Sequence, residues 1–344
     1  MTTSPPASLR SRFNVTKALA GGALFCLLAA FGASELTALP WNRKLPLTPL
    51  TVAILAGMLV GNAGLRRHLG PWQPGIRFSQ QKLLRLGIIL YGLRLTVQDL
   101  LRLGPRALLL DVVVISAVLM AGSWLGTRFF RLDPDTALLV SAGSGICGAA
   151  AVLATDRVIE SDSNKVSVAV ATVVVFGTLA MFLYPALFPL TGFTEHQFGI
   201  YAGATVHEVA QVVAAGKAVS DEAAGAAVIT KMLRVLLLAP CLLLVGRFRR
   251  TRQGASARRI TFPWFVLGFL GVILAQSLVR IPVQARSTLI DFDTVVLSSA
   301  MFALGLSTEW SQFKRAGTKP LLLAATLFAG LVTGGFALTS LLIR

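Results

Sequence analysis

The chain is divided into apolar runs of roughly bilayer length, with arginine and lysine gathered in the short stretches between them. A helix rises ~1.5 Å per residue, so ~20 apolar residues cross a ~30 Å hydrocarbon layer. Runs near 18–39, 47–64, 79–98, 106–127, 136–155, 166–188, 198–215, 224–245, 262–280, 292–310 and 320–342 predict about eleven membrane-spanning helices. The expected fold class is therefore an all-α polytopic membrane protein, one integral domain over 1–344 with approximate halves 1–190 and 191–344. Composition agrees: 55% of the residues are apolar and 14% charged, too few charges to keep a domain of this size in water. The first run follows Arg10, Arg12 and Lys17. It is long for a secretory h-region and lacks a clean A-x-A site, so it reads as a first transmembrane helix rather than a cleaved leader.

The net charge of +17 does not point to nucleic acid. The cations lie in loops between apolar runs, with no aromatic-basic platform, where they meet lipid head groups and set topology. Placing the N-terminus in the cytoplasm puts seventeen Lys and Arg on the inner side and ten on the outer. The strongest anchor is the basic loop 246–259, GRFRRTRQGASARR. Cys26, Cys147 and Cys241 all fall in apolar segments without a CxxC partner, which argues against a disulfide framework and a thiolate zinc site.

Two internal similarities stand out. The stretch 91–110 matches 304–323 at an offset of 213, aligning Gly92 with Gly305 and Gly104 with Gly317; one helix earlier Gly57 matches Gly271 at 214. Copies an odd number of spans apart have opposite orientations, as in the inverted repeats of secondary transporters. A weaker similarity, offset by 60, relates the segment from Ala142 to that from Ala202.

Those last segments are the candidates for discontinuous helices. SAGSGICGAA (141–150) holds three glycines and two serines inside a span, and each glycine weakens a helix by ~1 kcal/mol relative to alanine. Ser144 is placed to cap a new half-helix near Gly145. YAGATVHEVAQ (201–211) would break at Gly203–Thr205, and on a continuing helix His207 and Gln211 share a face while Glu208 points ~100° away. Non-helical backbone at membrane depth survives only in a cavity or inside protein, and half-helix N-termini form anion sites. Tight packing through small residues remains the competing reading of the first run. HEVAQ lacks the second histidine of HExxH, so no metal and no protease activity are expected. A carboxylate within a span marks a solute pathway or a proton site.

Further along, TKMLRVLLLAP sets Lys231 and Arg234 three apart on one helix face, suited to an oxyanion: a point charge beside a bidentate fork. Lys82 and Arg85 read as snorkelling cations, whereas Arg94 lies deeper; Asp111 and Glu309 are the acids that could neutralise such in-span cations.

Taken together, GSGICGAAAV, GATVHEVAQVV and TKMLRVLLLAP resemble the YeiH-like family of bacterial inner-membrane proteins, described as sulfate exporters, and the likeness covers nearly the whole chain. The family's Ser-Ile-Cys-Gly core corresponds to Ser144, Ile146, Cys147 and Gly148, with Gly145 standing where a second Ser or Thr is more usual. Its His-acid motif corresponds to His207 and Glu208, and its Lys-x-x-Arg motif to Lys231 and Arg234. The resemblance implies kinship with cation antiporters and anion transporters, with discontinuous helices crossing at the midplane and a core domain moving against a panel.

The expectation is a non-enzymatic secondary transporter exporting a small oxyanion such as sulfate or sulfite across the bacterial inner membrane, without a cofactor. Ser144, Gly145, Cys147, Gly148, Thr205, His207, Gln211, Lys231 and Arg234 would bind the substrate, and His207 and Glu208 would couple a proton. The alternative is a cation/proton antiporter using Glu208 and Asp111, and less favoured is a membrane-embedded enzyme or scaffold. Expected partners are the anionic solute and membrane lipids, with homo-oligomer formation left open.

Overall fold

A computed structural model describes residues 7–39, 48–63, 69–253, 264–279, 281–308 and 317–343. Among them every regular element is helical: α1 (Ala7–Ala38), α2 (Pro49–Asn62), α3 (Gln73–Phe78), α4 (Leu84–Tyr91), α5 (Val97–Trp124), α6 (Pro134–Gly145), α7 (Ala149–Ile159), α8 (Ser163–Thr191), α9 (Glu195–Thr205), α10 (Val209–Lys217), α11 (Asp221–Gln253), α12 (Trp264–Leu278), α13 (Val283–Ser307) and α14 (Thr318–Leu342). Short π and 3-10 segments extend α3, α4 and α5.

Six helices among the described residues are long and apolar enough to cross a membrane: Thr16–Ala38, Val97–Phe129, Ser163–Thr191, Asp221–Arg247, Val283–Ser307 and Thr318–Leu342. Two shorter apolar helices are Pro49–Asn62 and Trp264–Leu278. The expected count of eleven is thus not reached. The runs 136–155 and 198–215 each hold two short helices separated by non-helical backbone, and 79–98 is interrupted by π and 3-10 turns.

The chain forms two compact units that do not follow the sequence halves. The first comprises Met1–Arg94 and Phe269–Glu309. Within it α2 and α13 meet backbone to backbone: Gly57 and Gly61 lie against Phe302–Leu306, and Gly305 against Ile54 and Met58. A methyl group at any of these three glycines would strike main-chain atoms. Gly92, the sequence counterpart of Gly305, packs against Phe269 and Val272 of α12. Arg94 ion-pairs with the buried Asp293 at 3.1 Å, and its Nη2 also donates to the Ile290 carbonyl and the Thr294 hydroxyl. The acids that the sequence offers to the in-span cations are Asp111 and Glu309. Asp111 belongs to the other unit, Glu309 lies outside the described residues, and α13 carries the acid that serves. Lys82 and Arg85 are exposed.

The second unit comprises Leu95–Gly268 and Trp310–Arg344. Here α6 runs antiparallel to α5, with Ala137 by Gly126, Ser141 by Gly122 and Gly145 by Val118. The chain then turns back. Gly148 takes φ +77, a conformation open to glycine without a Cβ penalty, and α7 returns beside α6, bringing Val152 against Gly143. The open end is held by Lys165 at the start of α8, 2.8 Å from Asp133 and 3.4 Å from Asp135 at the start of α6. So α6 and α7 form a hairpin that leaves from and returns to one end of the unit.

The segment from α9 to α10 repeats this plan. Gly199 of α9 and Gly216 of α10 both pack at the beginning of α11, against Ala223 and Ala224, while Gly203 lies one turn deeper at Ala227. Helix α11 then runs to the open end of the first hairpin, where Gly246 faces Val158 of α7. The two hairpins therefore enter the unit from opposite ends, joined by α8. Their breaks fall at 146–148 and 206–208, the sixty-residue offset of the weak sequence similarity. Gly104 and Gly317, paired at offset 213, both have positive φ (66° and 76°), and each is followed directly by helix. The basic stretch 246–259 continues α11 as far as Gln253; the rest of it lies outside the described residues.

Candidate functional site

The site forms where the two hairpin tips meet. Small residues set it up: α6 carries Gly143, Ser144 and Gly145 in its last turn, and α9 carries Gly203, Ala204 and Thr205. Each helix runs on through the residues at which the sequence suggests a break. Gly145 is still helical, the break runs from Ile146 to Gly148, and Gly148 rather than Ser144 occupies the N-cap of α7. The Ser144 hydroxyl is buried and has no hydrogen-bond partner. Gly203 and Thr205 likewise stay in α9. Gly203 serves close packing on α11, and the Thr205 hydroxyl donates to the Tyr201 carbonyl at 2.5 Å. Val206, His207 and Glu208 form the second break, so His207 and Gln211 do not share a helix face: α10 begins only at Val209.

Lys231 of α11, with no exposed surface, reaches between the tips. Its ammonium donates to the Ile146 carbonyl at 2.9 Å and the Val206 carbonyl at 2.6 Å, the C-caps of α6 and α9. Arg234, one turn on and equally buried, donates through Nε to the Gly145 carbonyl at 2.9 Å and through Nη2 to the same oxygen. Two helix C-termini, each worth about half a negative charge, are thus aimed at two cations. Asp111 of α5, also fully buried, lies within electrostatic reach of both. It is one of the two acids that the sequence offers to the in-span cations.

Glu208 crosses from the second tip to the first. Its Oε1 accepts the Ala149 N–H, the first of α7, at 3.2 Å, and its side chain fills the space that a Cβ on Gly148 would occupy. Its own N–H donates to Gln211 Oε1 at 3.1 Å. The Gln211 side chain in turn lies against Gly177 of α8, where only a glycine leaves room for it. Cys147 is buried among Lys231, Arg234 and Glu208.

The structure therefore brings together Gly145, Cys147, Gly148, Glu208, Gln211, Lys231 and Arg234. Ser144, Thr205 and His207 lie on the same tips. His207 is fully buried, with both ring nitrogens unpartnered and its ring 6.1 Å from that of Phe328. Gln211 Nε2 and Arg234 Nη1 are likewise buried donors without partners. The concentration of unpaired polar atoms at the tips is unusual, since buried donors and acceptors are almost always satisfied. Sequence reasoning missed the main-chain members, the carbonyls of Gly145, Ile146 and Val206 and the Ala149 N–H, because a backbone group has no letter of its own. Asp111, a lone acid in an apolar helix, was the one legible signal.

Comparison with known proteins agrees with this helical membrane architecture. Residues 21–324 match the family model described as conserved hypothetical protein 698. The UPF0324 inner membrane protein YeiH of Salmonella typhi is 47% identical over 315 residues, covering 88% of this chain and 90% of the relative. The UPF0324 membrane protein PA5383 of Pseudomonas aeruginosa is 50% identical over 312 residues, 88% of each chain. YeiH of Escherichia coli K12 is 47% identical over 309 residues, 87% of this chain and 88% of the relative. No solved structure matches. Long apolar helices and relatives called inner membrane proteins together describe a multi-pass inner-membrane protein, and the chain belongs to the conserved hypothetical protein 698 family, that of the YeiH-like proteins.

Proposed function

We propose that the protein is a secondary transporter that exports a small inorganic oxyanion, of the sulfate or sulfite kind, with the hairpin tips as its substrate site. One observation carries this reading: two helical hairpins enter from opposite ends and meet at a buried lysine and arginine, with unpartnered donors around them. Interrupted helices at membrane depth are tolerated where they line a site or are packed in protein, and helix ends there handle charged solutes. Cations outnumber what a cation site would favour, which is the argument against the cation/proton antiporter. His207 and Glu208 are the groups assigned to proton coupling.

The pair of hairpin-plus-helix segments, 134–191 and 195–253, supports an inverted repeat at offset 60. The matched glycines Gly104 and Gly317 support a second at 213. Two hairpins that do not cross leave an odd number of crossings, so the termini stay on opposite faces, and this reading keeps the N-terminus inside. They also move Arg157 and Lys165 to the cytoplasmic side, which strengthens the positive-inside bias.

The test is a proteoliposome flux panel over sulfate, sulfite, thiosulfate and small organic acids, with and without a pH gradient. Oxyanion flux abolished in His207→Ala and Glu208→Gln is the expected result. Sodium-dependent flux indifferent to every anion would replace this reading with the antiporter.

A further inference from the structure

Glu208 does something at the tips that proton coupling does not require. Its carboxylate sits on the N-terminus of α7, bonded to the Ala149 N–H, and it reaches there only because Gly148 has no side chain. A helix N-terminus carries about half a positive charge, and a carboxylate there stands where a free anion would stand. The surroundings are built for an anion beyond that one helix end. Gln211 Nε2 belongs to the amide already engaged with the Glu208 N–H, it is fully buried, and it donates to nothing. Lys231 lies between the tips on the carbonyls of Ile146 and Val206.

Charge balance narrows the role. Lys231 and Arg234 are matched by Asp111 and by the two C-terminal helix ends, each about half a charge. The N-termini of α7 and α10 then supply about one positive charge, and Glu208 neutralises it. A second anion entering beside an ionised Glu208 would be an uncompensated buried charge, which is strongly unfavourable. The Glu208 residue keeps some exposed surface, whereas His207 and Gln211 beside it have none.

We infer that the Glu208 carboxylate is a tethered competitor that fills the seat of the transported anion at the start of α7, so that the anion binds only as Glu208 leaves the Ala149 N–H. The seat then holds one anionic group at a time, the Glu208 carboxylate or the solute. This rests on the transporter reading above and adds the regulation of its site.

The experiment measures binding of sulfite and of sulfate to the full-length detergent-solubilised protein by calorimetry, at fixed pH and ionic strength. Wild type is compared with Glu208→Gln, which keeps size and loses charge, and with Glu208→Asp, which keeps charge and loses reach. Competition predicts that both variants bind tighter than wild type, by about ten- to a hundredfold for the loss of one charge-assisted hydrogen bond. Affinity unchanged or weakened in both variants overturns the proposal. If wild type still moves oxyanions in liposomes while the variants bind no tighter, only the competition fails. If the variants bind oxyanions but wild type neither binds nor moves them, the competition holds and the transporter reading falls. If no form binds or moves any oxyanion, both fall.

Discussion

Lys231 and Val206 are joined by a 2.6 Å hydrogen bond that ties α11 to the tip of the second hairpin, and the same ammonium holds the Ile146 carbonyl of the first at 2.9 Å. One side chain thus fastens two hairpins that enter from opposite ends. Lys231→Met keeps the length and apolar stem but leaves two buried carbonyls unpaired, at about 1–3 kcal/mol each. The variant is expected to melt clearly below wild type in detergent and to carry no flux. An unchanged melting temperature would show that the tips hold together without the ammonium.

Gly148 and Glu208 depend on each other in the same way. Gly148→Ala forces a Cβ into the Glu208 side chain and strains a φ of +77 with ψ −141, the latter costing about 1–3 kcal/mol. Glu208→Ala in the same chain removes the collision and leaves the strain. The double variant should therefore be destabilised by less than the sum of the singles, by more than about 0.5 kcal/mol in an unfolding cycle. Additive losses would mean that the two residues do not meet.

How much of this was readable in the sequence differs by level. Apolar run length and basic flanks gave the helical membrane class, because hydrophobic thickness is a property of composition. The Gly-rich run around Cys147 and the segment around His207 were identifiable as breaks, since three glycines or an isolated His-Glu pair sit badly in a span. Whether the chain goes on or turns back after a break was not readable. That choice is made by distant partners, such as Lys165 with Asp133 and Gly216 with Ala224. The acid paired with Arg94 was hidden for the same reason. Nearly two hundred residues separate it from Asp293, and nothing local marks Asp293 over Asp111.

That pair makes its own prediction. Arg94 and Asp293 are a largely buried ion pair, with side chains 17% and 0% exposed. Removing one partner strands the other, a loss of about 3–5 kcal/mol. Asp293→Leu should strongly lower the melting temperature, and Arg94→Leu added to it should restore part of the loss. Failure of the second change to restore anything would place the importance of Asp293 elsewhere.

The open end of the first hairpin should respond to acid. Partial burial disfavours the Asp133 carboxylate, but the Lys165 ammonium and the Thr136 N–H more than offset this and hold its pKa below the ordinary value. A folded-state pKa below the unfolded one means stability that is complete above the unfolded value, near ~3.9, and lost as pH falls through the folded one. Wild type is therefore expected to lose more stability than Asp133→Asn between about pH 5 and pH 3. The difference should stay within about 1 kcal/mol, since the side chains at this end are well exposed. Equal losses in the two proteins would remove Asp133 from the acid response.

The returning hairpins have a direct topological consequence. If 136–155 crossed the membrane, Arg131 and Ser163 would lie on opposite faces; a hairpin puts both on one face. Glu195 and Glu222, which flank the second hairpin, would likewise share the other face. All four side chains are exposed, so single cysteines there, in a background lacking Cys26, Cys147 and Cys241, should label with a membrane-impermeant maleimide. In intact cells Glu195→Cys and Glu222→Cys are expected to react from outside. Arg131→Cys and Ser163→Cys should react only after the inner face is opened. Labelling of Arg131→Cys and Ser163→Cys from opposite faces would turn the first hairpin back into a crossing helix. The helix that follows, α8, would then have to start at the wrong end of the unit to reach Asp133, so the Lys165 contact would be lost with it.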